Sequence, residues 1–115
     1  MLAHGAVLRK NGFDANQLAA IARDFHNACL TPEEVALMSF AQKISNRANQ
    51  VSQPDLDDLR SYGLSDEEIL DVILACTARN FFSKTLDSLA AVPDEINKDL
   101  EPELVQALRM GRPFP

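Results

Sequence analysis

LSDEEILDVILACTARNFFSKTLDSL, residues 64–89, is the stretch on which the fold class turns. Ser65 followed three residues later by Glu68 forms a capping box, and Asp66, Glu67 and Glu68 place three carboxylates in the first turn, where the helix dipole favours negative charge. The spacing predicts one long helix running to about Ala90. Between Ile69 and Ala78 the apolar residues Ile69, Leu70, Val72, Ile73, Leu74, Ala75, Cys76 and Ala78 surround nearly the whole circumference, which a surface helix does not do. The helix is therefore expected to be either the central core helix or a subunit interface, and Val92-Pro93-Asp94 ends it.

The same punctuation recurs upstream. Ser52-Gln53-Pro54-Asp55 opens a short helix that Gly63 closes, since glycine takes the positive φ of a helix stop. Thr31-Pro32-Glu33-Glu34 is another capping box with proline at the first helical position. Leu37, Ala41, Ile44 and Ala48 continue it at helical spacing to the Asn49-Gln50 break. Earlier still, Leu18, Ile21, Ala22 and Phe25 form one stripe over Asp14 to about Phe25, and a short pattern around His4, Val7 and Leu8 ends near Asn11-Gly12. Downstream, Leu104, Val105 and Leu108 share one side of a last helix from Pro102 to about Met110. No sustained period-2 alternation marks a strand, so the fold class is all-α, a bundle of five or six helices.

At 115 residues, 46% hydrophobic and 24% charged, the chain has the balance of one globular unit. Its formal net charge of -6, with eleven Lys and Arg scattered singly, gives no footprint for a phosphate backbone, so nucleic acid is not an expected partner. The LSDEEI-led helix would meet DNA with Asp66, Glu67 and Glu68, which repel phosphate. No apolar run approaches the roughly 20 residues that span a bilayer, and the first residues lack a signal-peptide pattern. The reading is a cytoplasmic protein without a membrane partner.

Few residues invite chemistry. Cys29 and Cys76 form no CxxC or Cys/His ligand spacing, so neither a disulfide framework nor a zinc site is expected, and each reads as a small buried apolar residue. His26 and Cys29 are three apart, but they lie where the helix frays, with no third group to orient the imidazole. Asp55, Asp57 and Asp58 lack the loop spacing calcium needs and read as a solvated helix start. Arg9 and Lys10 read as a solvated helix end. Asn80 continues the Ile69, Ile73, Cys76 line and projects an amide from an apolar stripe, either into a structural hydrogen bond or as a pocket wall. Phe81 and Phe82 are expected in the core or an interface. No cofactor or metal is expected.

Taken in order, AHGAVLRK, LTPEEVALMSFAQKIS, DLDDLRSYGLSDEEILDVIL and ARNFFSKTLDSL resemble the alkylhydroperoxidase D-like branch of the carboxymuconolactone decarboxylase family, closest to its peroxidase-related members. The likeness runs from His4 to about Leu89 and weakens beyond. It implies a helical core over residues 1–91, equivalent to the C-terminal part of the family domain, and a tail over 92–115 with one short helix. Members carry CxxCxxxH, in which a thiolate attacks peroxide, is oxidised to sulfenic acid, and is resolved by the second thiol to a disulfide that a reductant reopens. The resemblance places the family histidine on His4, as a proton relay. The second cysteine would then fall immediately before Met1, so the chain contains neither thiol, and it also lacks the upstream glutamate of the relay. The chain is thus expected to be N-terminally incomplete relative to the family, through a start misplaced at an internal methionine. The alternative is a short paralogue that kept the fold and discarded the redox centre.

Asn80 and Phe81 fit the family's FNFVNRLADAL segment and become pocket candidates, whereas Ser83 and Lys84 replace its Asn-Arg pair. The resemblance also implies a homo-oligomer, trimer or hexamer, and, for a form carrying the thiols, a peroxide substrate and a thiol reductant. The expected function is a thiol-dependent alkylhydroperoxidase or related oxidoreductase that lacks turnover in this sequence. The alternative is a non-enzymatic helical assembly or regulatory protein, and decarboxylation of a lactone acid is a lesser reading.

Overall fold

The structure, a computed structural model, describes residues 2–92 and 99–109. Among them are six α-helices and no strand: α1 (Leu2–Lys10), α2 (Ala15–Asp24), α3 (Pro32–Arg47), α4 (Gln53–Ser61), α5 (Asp66–Ser88) and α6 (Pro102–Leu108). The fold is all-α, and every helix anticipated from periodicity is present. The chain divides into two compact units, residues 31–90 and residues 1–30 with 91–115.

The unit of residues 31–90 is three consecutive helices, each opened by a local cap. Thr31 Oγ1 accepts from Glu34 N at 3.2 Å while Glu34 returns a carboxylate to Thr31 N at 2.8 Å. Ser65 and Glu68 repeat that reciprocal pair at the start of α5, at 3.1 and 2.8 Å. At α4 the Asp55 carboxylate accepts from both the amide and the hydroxyl of Ser52, at 2.7 and 2.8 Å. Helix starts secured in this way leave the apolar faces to close on one another. Phe40 and Ile44 of α3, Leu59 of α4 and Ile69 of α5 form the core, with Leu59 only 1% exposed. Val72, Ile73 and Cys76 pack against it from α5. Gly63, at φ +95°, turns the chain from α4 into α5, a conformation that favours glycine.

The other unit joins the two ends of the sequence. Asp14 caps α2 by accepting from Asn16 N at 2.6 Å. Leu18 and Ala19 of α2 meet Leu104 and Leu108 of α6 in a second core, in which Leu104 is 1% exposed. Helix α1 approaches α6 so closely that a Cβ on Gly5 would lie 2.2 Å from Leu108 Cδ1. Any larger residue at 5 would force the Leu108 side chain to shift, and the glycine lies inside a helix where it is otherwise unfavourable.

Arg9 corrects its reading as a solvated end. Its guanidinium forms a bidentate ion pair with Glu101, at 3.0 Å from Nε to Oε1, and donates from Nη1 to the Phe13 carbonyl at 2.7 Å. The partner lies 92 residues away at the N-cap of α6, beyond any local pattern.

Candidate functional site

The residues singled out for chemistry are divided between the units: His4, His26 and Cys29 in that of the chain ends, Cys76, Asn80 and Phe81 in that of residues 31–90. In the unit of the chain ends, His4 is exposed on α1 beside Val7 and Leu8, also exposed, while Gly5 is buried against Leu108. The alternation follows the helical phase: Gly5 turns 100° from His4 and meets α6. His26 lies in a short 3₁₀ turn, Phe25–Asn27, which Asp24 organises by accepting from His26 N at 3.1 Å and Asn27 Nδ2 at 2.5 Å. Those bonds, the Asn27 contribution foremost, hold the Asp24 carboxyl below its usual range.

Asp24 also corrects the expectation that nothing orients the His26 imidazole. Its Oδ1 lies 3.2 Å from Nδ1, and the ring stacks on Phe25 with centroids 4.1 Å apart. The orienting group precedes the histidine by two residues, a spacing that brings side chains together in a capped turn and not along a regular helix. Among the described residues no hydrogen bond joins His26 to Cys29, whose thiol is exposed. Cys29 has φ +56°, a left-handed conformation, and its exposure corrects the expectation of a buried apolar residue.

Cys76 sits in the other unit, half-buried on the inner face of α5, where burial pushes its thiol pKa up. A thiol that resists ionisation is a poor nucleophile toward peroxide. One turn on, Asn80 takes the structural alternative: its Nδ2 donates to the Cys76 carbonyl at 3.0 Å and to Ser45 Oγ of α3 at 2.9 Å. The amide fastens α5 to α3. Phe81 turns 100° away from that inner line and is 75% exposed, and Phe82 is 54% exposed beneath the Arg79 guanidinium, 5.8 Å from its ring centroid. Neither belongs to the core of its unit, which corrects the core half of their expectation. Ser83 is half-buried and Lys84 exposed.

No protein-family model, curated protein or solved structure matches the chain.

Charge and concavity add two further features. Asp55 is more than a solvated helix start: Lys43 Nζ of α3 donates to both of its oxygens, at 2.8 and 2.7 Å. With the Ser52 donors added, its pKa falls to about 2. Asp57 and Asp66 both receive Arg60, at 2.6 and 2.8 Å, which ties α4 to the start of α5. In the unit of the chain ends, an open cleft of about 450 Å³ is lined by Arg9, Asp14, Asn16, Glu101 and Glu103 among others. Local pattern could not reveal it, because its walls come from opposite ends of the sequence. Its only guanidinium is committed to Glu101, which lowers the Glu101 pKa. Among the described residues no three His, Cys, Asp or Glu side chains are grouped to hold a metal ion, and no helix is long and apolar enough to cross a membrane.

What remains is the outer side of α5. Leu70 and Leu74 are 53% and 55% exposed, and with Phe81, Phe82, Leu86 and Leu89 they carry the all-round apolar pattern of residues 69–78 onward to the helix end. Five large apolar side chains exposed on one helix, with a sixth at its C-cap, exceed the scattered exposure of an ordinary surface.

Proposed function

We propose that this chain is a non-catalytic helical assembly subunit of the alkylhydroperoxidase D-like kind, acting in the cytoplasm as a homo-oligomer. The observation that carries the reading is the exposed apolar side of α5, from Leu70 to Leu89. Burying it against protein removes apolar surface from water, which stabilises association by about 25 cal/mol per Å² before the costs of ordering. The thiols support the non-catalytic half. A two-cysteine peroxidase cycle needs one ionisable thiol to form sulfenic acid and a second in reach to resolve it. Cys76 is half-buried with a raised pKa.

Sedimentation equilibrium of the chain at micromolar concentration tests the assembly, and a coupled assay with an alkyl hydroperoxide and a dithiol reductant tests the chemistry. The expected results are a mass at a whole multiple of 12.7 kDa and no peroxide consumption above the reductant blank. A 12.7 kDa species that persists as concentration rises would remove the assembly reading. Catalytic turnover would restore the peroxidase.

A further inference from the structure

We propose that the occupant of the outer face of α5 is the α5 of a second copy, packed antiparallel about a twofold axis at Ala78. This rests on the assembly reading and specifies its geometry. Three observations select it.

The first is the order of residues along the face. Large side chains sit at both ends, Leu70 and Leu74 before, Phe82 and Leu86 after, with exposed Ala75, Thr77 and Ala78 between them. A twofold axis at Ala78 sets Leu74 opposite the partner's Phe82 and Leu70 opposite the partner's Leu86. The small residues fall at the crossing, where helix axes come closest, at about 8–10 Å or less.

The second is polarity. From Leu70 to Leu89 the charged residues are Asp71, Arg79, Lys84 and Asp87; Arg79 lies over Phe82, and Asp71, seven residues before Ala78, shares its side of the helix and falls opposite the partner's Thr85. The hydroxyls on or beside the face are turned back onto their own helix. Thr77 Oγ1 donates to the Ile73 carbonyl at 2.9 Å, Thr85 to Phe81 at 2.8 Å and Ser88 to Lys84 at 2.7 Å. Covering the face therefore leaves these hydroxyls bonded, and the desolvation cost falls on the Asp71 carboxylate. A parallel pair would bring Asp66, Glu67 and Glu68 of one copy onto the same carboxylates of the other. The antiparallel pair separates these clusters by the length of α5 and sets opposed helix dipoles side by side.

The third is area. The six large residues expose roughly 700 Å² per copy, close to the roughly 800 Å² per partner of a stable interface.

Cysteine substitution in a Cys29→Ser background reads the geometry directly, since a disulfide needs Cα atoms about 4.4–6.8 Å apart. Ala78→Cys lies at the axis. Leu70→Cys lies eight residues away, so two copies are roughly 24 Å apart along the helix when antiparallel and adjacent when parallel. On mild oxidation, Ala78→Cys is expected to give on the order of tenfold more covalent dimer than Leu70→Cys or the Cys29→Ser parent, which retains Cys76. Mixing Leu70→Cys with Leu86→Cys is expected to yield the mixed dimer. Efficient self-crosslinking of Leu70→Cys would overturn the antiparallel arrangement. A chain that is oligomeric by sedimentation yet uncrosslinked at Ala78→Cys would overturn the α5 pairing while leaving the assembly reading intact. A 12.7 kDa monomer without crosslinks would remove both. Leu74→Glu, on a half-exposed position, is expected to keep its helical circular dichroism and lose the dimer. An unchanged mass would overturn the proposal.

Discussion

Residues 31–90 build their unit from neighbours: three helices in succession, each opened by a cap whose two members lie three residues apart, closing on Phe40, Ile44, Leu59 and Ile69. Residues from the two chain ends build the other unit from strangers. There Leu18 and Ala19 find Leu104 and Leu108 more than eighty positions away, and Arg9 finds Glu101. Both cores hold a leucine at 1% exposure, so burial does not distinguish them. Independence from the rest of the chain does. A capped helix of sixteen or twenty-three residues, such as α3 or α5, has its ends secured before it packs, whereas the seven residues of α6 are too short to persist alone.

The largest effects should therefore come from the buried leucines, and they should differ in kind. Leu59→Ala and Leu104→Ala each remove a fully buried side chain, at about 2–5 kcal/mol. In hydrogen exchange, Leu59→Ala is expected to speed α3, α4 and α5 amides uniformly while leaving the helices formed. Leu104→Ala is expected to abolish protection in α6 altogether, because that helix has no side-chain cap to retain it. Persistent α6 protection in Leu104→Ala would break the contrast.

Gly5→Ala is the next test. The added methyl meets Leu108 Cδ1, an atom that can move only within a packed core, and overpacking of this kind costs about 1–3 kcal/mol. Alanine is ordinarily the better helix former by about 1 kcal/mol. A thermal midpoint that falls confirms the close approach of α1 and α6, and one that rises denies it.

These two units also mark where sequence reading succeeds. Thr31 with Glu34 and Ser65 with Glu68 were visible as capping boxes because the bonded atoms belong to residues three apart, and helix boundaries followed within a residue or two. The inner line Ile69, Ile73, Cys76, Asn80 was equally plain from its period. Its consequence for Phe81 needed the structure, since an aromatic next to a buried position can face a neighbouring helix or solvent, and only the placement of α3 decides. Gly5, Arg9 and the cleft beside Glu101 carry no local signature at all. The signal that existed was weak: a glycine inside a helical pattern often marks close backbone approach. The orientation of His26 by Asp24 has no helical signature for a different reason, because the turn that joins them is 3₁₀.

Ala90 sharpens the contrast from the other end of α5. It takes φ +59° just past the helix, the position where Gly63 serves α4. A left-handed alanine costs about 1 kcal/mol relative to glycine. Ala90→Gly is expected to raise stability by up to that increment, and the urea midpoint with it, in spite of glycine's greater freedom when unfolded. A lower midpoint would mean that the α5 terminus is not strained there.

The smallest effect is the one that separates local capping from contact between helices. Asp55 does both, accepting from Ser52 within α4 and from Lys43 across to α3, with Lys43 the largest cause of its pKa near 2. Unfolded, the same carboxyl titrates near 3.9. A pKa lowered by folding contributes stability that is fully present above the unfolded value and lost as pH falls through the folded one, so the window lies between about pH 4 and pH 2. Lys43→Met removes the contact between helices and keeps the Ser52 donors. Urea midpoints of the two proteins should differ most above pH 4 and converge by pH 2, the variant showing the shallower slope between them. Parallel curves across that window would assign the depressed pKa to the α4 cap alone, and the ion pair would then add nothing to the packing of α3 on α4.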